Sequence, residues 1–249
     1  MKLFIKLLCL CLIINVSALA QKTEGIVSYD RKSYWTKIIA RLTFLSQEQK
    51  DRAAQTWKNE DEDKEKMKLL FTPTESVYTY LNDQGQTEDG NYSWRNRDLL
   101  LYRNYDKERK TEIEEMLGKT YIVDDSLRTP TWRILDQIKE VAGHICMKAE
   151  TEDPIKKHKV TAWFAQDIPV SAGPERYSGL PGLILELDIN GGDVIIEATK
   201  VEFKPVAAEI KLPKLKGKKI TSADYDKMIQ QHIAESITAH RNPYWAIRY

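Results

Sequence analysis

The sequence predicts an α+β domain, mainly β, built on an antiparallel sheet with an N-terminal helical region and a C-terminal helix. Three observations carry this. Between Lys66 and Phe203 apolar and polar residues alternate in short runs broken by turn residues, the period of half-buried strands. A helical period occurs only near the two ends. The strand runs follow one another directly, without intervening helices, so hairpins rather than βαβ crossovers connect them.

Thr23–Lys32 (TEGIVSYDRK) reads as a first strand. Trp35, Ile38, Ile39, Leu42 and Leu45 then follow the stripe of an amphipathic helix. Ser46-Gln47-Glu48-Gln49 is a capping box, so the helical region restarts there and runs to about Trp57. Asn59–Glu65 is an acidic linker. Met67, Leu69 and Phe71 alternate, Thr72–Glu75 turns, and Ser76–Leu81 returns as a strand. Asn82–Asn91 is a polar loop. Leu99–Tyr102, Thr111–Leu117 and Thr120–Asp124 are strands, the last two joined at Gly118-Lys119. Thr131–Leu135, Gln137–Val141, His144–Glu150 and His158–Phe164 follow, with Ala142-Gly143 as a turn. Thr221 or Ser222 caps a last helix whose buried face is Tyr225, Met228, Ile229, Ile233 and Ile237, and Asn242-Pro243 ends it. The tail Tyr244–Tyr249 (YWAIRY) is too apolar for solvent and is expected to dock as an extended segment.

Residues 1–20 have the form of a secretory signal peptide. Lys2 and Lys6 precede an apolar run, and Ala18-Leu19-Ala20 offers a cleavage site before Gln21. The run is too short for a stable transmembrane anchor, and no later run spans a bilayer. Residues 21–249 are expected to form a single exported domain, in the periplasm or on the outer-membrane or extracellular side. Removing Lys2 and Lys6 from the 38 basic residues leaves 36 against 37 acidic, a net charge of −1. That balance argues against nucleic acid as a partner. Of the three cysteines only Cys146 remains after cleavage, so the core must hold the fold without an intramolecular disulfide.

Ala162–Phe203 is the most informative stretch. Gly173-Pro174, Gly179, Pro181 and Gly182 restrict a loop that feeds a hairpin. Leu183, Leu185, Leu187 and Ile189 are placed on one face, with Ile184, Glu186 and Asp188 on the other, and Asn190-Gly191 makes the turn. Val194, Ile196 and Ala198 share a parity that Val201 and Phe203 reverse, which predicts a β-bulge near Thr199-Lys200. Gly179–Ile184 spells GLPGLI, and Trp163-Phe164, Asp167-Ile168-Pro169, Gly173-Pro174 and Tyr177 stand before it. This context resembles the GLPGLI family (Porph_ging) of secreted proteins from Gram-negative bacteria. The resemblance implies a location in the cell envelope. It also implies a curved sheet, a bowl or half-barrel, similar in architecture to the bowl-like N-terminal domain of type II peptide:N-glycosidase F. The family's activity is not established, so the resemblance implies no catalytic residue.

For binding, Trp163, Tyr177, Gly179, Leu180, Pro181 and Gly182 are candidates, although packing alone accounts for them. The reading they favour is a non-catalytic binding or structural module. It would take an envelope protein, a peptide, a glycan or a lipid on a concave sheet face. The competing reading is a glycan- or peptide-directed hydrolase. Asp167 and Glu175 flank the loop and Glu186 lies on the following strand, so a carboxylate pair is conceivable. His144 and Cys146 share a strand face and His158 could lie beside them, but no metal or cofactor is expected. Ser171 and Ser178 lack a nucleophile elbow. The lysines of Lys211–Lys219 read as a solvated connector, with anionic lipid or polysaccharide as the sharper option. Six tryptophans serve the core first and surface ligands second.

Overall fold

The computed structural model describes residues 23–58, 61–86, 92–214 and 216–249. The expected signal peptide, with Cys9 and Cys11, lies outside the described residues. So do the start of the expected acidic linker and the end of the loop expected at Asn82–Asn91.

In chain order the strands are β1 (Gly25–Tyr34), β2 (Glu62–Phe71), β3 (Glu75–Tyr80), β4 (Gln84–Gln86), β5 (Ser93–Arg95), β6 (Leu99–Asn104) and β7 (Arg109–Met116). They continue with β8 (Lys119–Ser126), β9 (Arg133–Val141), β10 (His144–Glu152), β11 (Lys159–Ala165), β12 (Leu183–Ile189), β13 (Val194–Phe203) and β14 (Lys218–Ile220). Twelve of them form one curved sheet, open at its ends, in the order β14-β8-β7-β6-β3-β2-β1-β13-β12-β11-β10-β9. Every pairing in it is antiparallel except β14 with β8. β4 and β5 make a separate ribbon where a plain loop was expected. β1 is the hinge of the topology, pairing with β2 on one side and β13 on the other. The predicted curved, mainly antiparallel α+β fold is therefore the observed one.

Helices lie at the two ends as expected, although the first stops at Ala40, short of Leu42 and Leu45 in the expected stripe. α1 (Trp35–Ala40) is short, and α2 (Gln47–Thr56) starts on the predicted capping box: Ser46 Oγ accepts from the Gln49 N–H at 3.2 Å while the Ser46 N–H donates to Gln49 Oε1 at 2.8 Å. α3 (Ser222–Thr238) is capped by Thr221, whose Oγ1 accepts from the Asp224 N–H. Tyr225 and Ile229 bury its inner side against Met116, Tyr121 and Val123. Ile237, expected in the buried face, is exposed. Among the described residues no helix is long and apolar enough to cross a membrane.

Two turns explain their residues. Leu117-Gly118 and Ala142-Gly143 all have positive φ, 52° and 70° in the first pair and 49° and 81° in the second, as two-residue hairpins on right-twisted strands require. The bulge predicted near Thr199-Lys200 is present. Ser28 faces Lys200 but Tyr29 faces Ala198, so Thr199 is the extra residue, and its hydroxyl donates to the Ser28 carbonyl. A second bulge was not expected. Trp163 faces Glu186 while Phe164 faces Ile184, so Leu185 is extra, and Ile184 shares a face with Leu187 rather than with Glu186.

The inner face of the sheet carries the main core. Val27, Tyr29, Met67, Leu69, Phe71 and Tyr78 line it, and Ile168, Val170, Ala172 and Leu180 of the Gly/Pro loop pack onto them. The loop between β11 and β12 thus fills the hollow of the sheet. The tail joins it there. Pro243–Trp245 forms a 3-10 turn rather than the extended segment expected, and Ile247 and Tyr249 are buried. Leu70 and Val77, on the outer face, are covered by Val206 and Ile210 from the segment after β13.

Candidate functional site

The residues singled out in the sequence divide into separate places. Gly182 closes the loop against β11: a Cβ there would stand 2.3 Å from the Ala165 carbonyl oxygen, so only glycine fits. Gly179 has φ 91° and lies against Thr129. Leu180 is buried, and of the GLPG residues only Pro181 is exposed as a side chain. Tyr177 meets Trp132 edge-on at 6.1 Å, and the Trp132 indole donates to the Ser178 carbonyl at 2.9 Å. Trp163 lies under the Lys139 ammonium at 4.7 Å.

The three candidate carboxylates each have a different partner. Asp167 contacts His144 Nδ1 at 2.8 Å. Glu186 takes Lys139 Nζ on both oxygens at 2.6 Å. Glu175 is buried in the hollow, where Arg248 reaches its two oxygens at 2.7 and 2.8 Å, Arg31 lies at 3.3 Å and the Tyr78 hydroxyl donates at 3.3 Å. Burial alone would raise the Glu175 carboxyl, but Arg248 and then Arg31 hold it down to about 2. Arg103 fixes the same loop by donating to the carbonyls of Gly173 and Glu175. Glu175 is thereby the anchor of the Gly/Pro loop. Cys146 is buried, its thiol pushed up to about 12 by burial and then by Asp167 and Glu186. His158 is elsewhere, stacked on Tyr249 at 4.3 Å. Among the described residues no three His, Cys, Asp or Glu side chains are grouped to hold a metal ion.

A large cavity lies on the inner face, beside this network, and has a volume of about 720 Å³. That is within the range of small-molecule sites. β1 and β2 supply Arg31, Asp63 and Glu65, α1 supplies Trp35, β3 supplies Tyr80, and the β4–β5 ribbon supplies Trp94 and Arg95. The tail closes it with Trp245 and Arg248. Gly85 lets the Trp94 ring lie across the ribbon, since a Cβ at Gly85 would stand 2.5 Å from the indole. Tyr92 stacks beside Trp94 at 6.1 Å. Trp94 and Trp245 are 44% and 64% exposed, unusual for indoles and placed at the rim.

The charges of this groove are largely paired. Arg31 and Arg248 both reach Glu65, at 3.0 and 3.2 Å, and the Tyr80 hydroxyl donates to its other oxygen at 3.2 Å. Burial favours a raised Glu65 pKa, yet Arg248 and Arg31 lower it. Arg95 bridges Glu115 at 2.6 Å and Asp98 at 3.2 Å. Arg97 donates to the Trp245 carbonyl at 3.1 Å, tying the rim to the tail. Asp63 is raised, first by desolvation and then by Glu65, and the Trp35 indole donates to it. None of these groove residues was singled out as a site in the sequence, because they lie on β1 to β7 and on the tail and converge only through the topology. The available signals were the tryptophans, read as core first and surface ligands second, and Arg248, a charged residue in an otherwise apolar tail.

Comparison with known proteins agrees with the architecture. No curated protein matches the chain. Two solved structures of PNGF-II, in C2 and P21 space groups, superpose with a TM-score of 0.54 at 12% identity. Each match covers 83% of this chain, which spans about a third of the matched chains, 32% and 33%. Residues 139–186, from the end of β9 into β12, match the family model described as "Protein of unknown function (Porph_ging)". The chain is thus similar in fold to part of PNGF-II and, through the segment that holds the GLPGLI loop, to the Porph_ging family.

Proposed function

We propose that the chain is an exported envelope module that binds a neutral, polar, ring-bearing ligand, a glycan, in the groove of its curved sheet. The observation that carries this is the wall of the groove. Trp35, Tyr80, Trp94 and Trp245 offer aromatic faces between carboxylate–guanidinium pairs that cancel one another. Such a wall offers many hydrogen-bonding groups and little net charge. A lipid chain would leave those groups desolvated and without partners, so the composition disfavours a lipid as the ligand. The expected Gly/Pro loop acts beneath the groove, holding Arg248 through Glu175.

The test is calorimetric titration of the mature chain with neutral oligosaccharides, alongside Trp94→Ala and Trp245→Ala. Saturable binding that weakens at least tenfold in both variants is expected. Binding that is unchanged in both, or that occurs only with acyl chains, overturns the proposal. A hydrolase reading has one observation in its favour, the raised Asp63 beside the lowered Glu65. Chromatography of the same oligosaccharides after prolonged incubation decides it: cleavage that Asp63→Asn abolishes supports an enzyme, and intact sugars leave a binding module.

A further inference from the structure

The segment from β13 to β14 carries Lys204, Lys211, Lys214, Lys216, Lys218 and Lys219, against a single acidic residue, Glu209. All six lysines are exposed, and among the described residues none of them makes an ion pair. In a chain whose total charge is close to zero this is a strong local asymmetry. Its place in the fold is fixed at both ends. Val206 and Ile210 pin its start to Leu70 and Val77 on the outer face of the sheet. β14 pins its end to β8, with Lys218 beside Tyr121 and Ile220 beside Val123. Gly217 makes that approach possible, since a Cβ there would stand 2.7 Å from the Thr120 carbonyl oxygen. Leu212 is 40% exposed among the lysines. Val206 and Ile210 hold the start of the arm on the outer face, whereas the groove opens on the inner face.

We infer that this lysine arm docks on an anionic lipid surface and holds the module with its groove facing away. The chemistry is charge complementarity: an array of unpaired ammonium groups with an apolar side chain among them fits lipid phosphates over a shallow apolar layer. A solvated connector needs neither the six-to-one excess of lysine nor the exposed leucine. The proposal is independent of what the groove binds.

Co-sedimentation with vesicles tests it. The mature chain is mixed with phosphatidylcholine vesicles and with vesicles containing about one-third phosphatidylglycerol, at low ionic strength and at roughly 0.15 M salt, where the Debye length falls from about 30 to about 8 Å. Binding is expected only to the anionic vesicles and to weaken with salt. Replacing Lys211, Lys214 and Lys216 by Gln should weaken it at least tenfold, since each lysine near such a surface contributes about a factor of five. A control with Lys58, Lys107 and Lys157 changed to Gln should bind as the parent does. Thermal unfolding of both variants checks that the fold is intact. Equal binding to neutral vesicles, no binding to any vesicle, equal loss in the control, or retention only on an immobilised anionic polysaccharide would each overturn the inference.

Discussion

The Glu175→Gln substitution isolates the contact on which the Gly/Pro loop depends. Glutamine keeps the volume and removes the charge, leaving the Arg248 and Arg31 guanidinium groups facing a neutral amide in a buried place. Two routes give the cost. The carboxyl is held near 2 in the fold against an ordinary value of 4.5. A displacement of that size, at 1.36 kcal/mol per pKa unit, makes the ionised form worth about 3 kcal/mol at neutral pH. Removing one partner of a buried ion pair independently costs about 3–5 kcal/mol. Urea unfolding at pH 7 should therefore show a loss of about 3 kcal/mol at unchanged m-value, a large part of the roughly 5–15 kcal/mol available to a domain. The sign with pH follows from the depressed folded value. The unfolded chain binds the proton first, so the stabilisation is complete above pH 4.5 and disappears as the pH falls towards 2. A loss under 1 kcal/mol, or a variant with the parent's acid limb in this window, would refute the reasoning. A double variant with Arg248→Gln should lose less than the sum of the two single changes.

His158 adds a second acid response: burial and then Lys156 lower it to about 4 from 6.5, so the unfolded state takes the proton first. Stability should be full above pH 6.5 and fall by about 3 kcal/mol towards pH 4, and denaturation of His158→Gln across that window should lack this component. Gly182→Ala forces a Cβ onto the Ala165 carbonyl and should cost about 2 kcal/mol, read as a fall of roughly 5 °C in Tm, whereas Pro181→Ala at the exposed neighbour should change it little.

What could be read in advance was local. The bulge at Thr199 followed from a parity change between Ala198 and Val201, and the capping box at Ser46 from residue types three apart. Both depend on neighbours within one turn or one strand. The second bulge, at Leu185, had no such signal. β12 is buried at nearly every position, and its first three residues are all apolar, so the run up to Leu185 has no phase to break. The expected linker before Lys66 was misjudged for the opposite reason. Its charged residues are the exposed end of β2, held by ten consecutive pairings to β1.

The groove was not legible, because its parts are joined by contacts across most of the chain. Arg248 meets Glu175 over 73 residues, and Tyr29 donates to the Ile184 carbonyl over 155. A pattern search finds chemistry where suitable residues are close in sequence, which is how Asp167, Glu175 and Glu186 came to be considered together. The fold gives each its own partner and uses Glu175 as an anchor. The same argument locates the role of GLPGLI. Gly182 and Leu180 seat the loop in the hollow, the seated loop presents Glu175, Glu175 holds Arg248, and Arg248 with Arg31 pairs with Glu65 in the groove wall and lowers its carboxyl. The hexapeptide acts on the groove through this chain of contacts without lining it. Changes in the loop should therefore alter the groove by displacing the tail, and a substitution that leaves the Glu175–Arg248 pair in place should leave the groove unchanged.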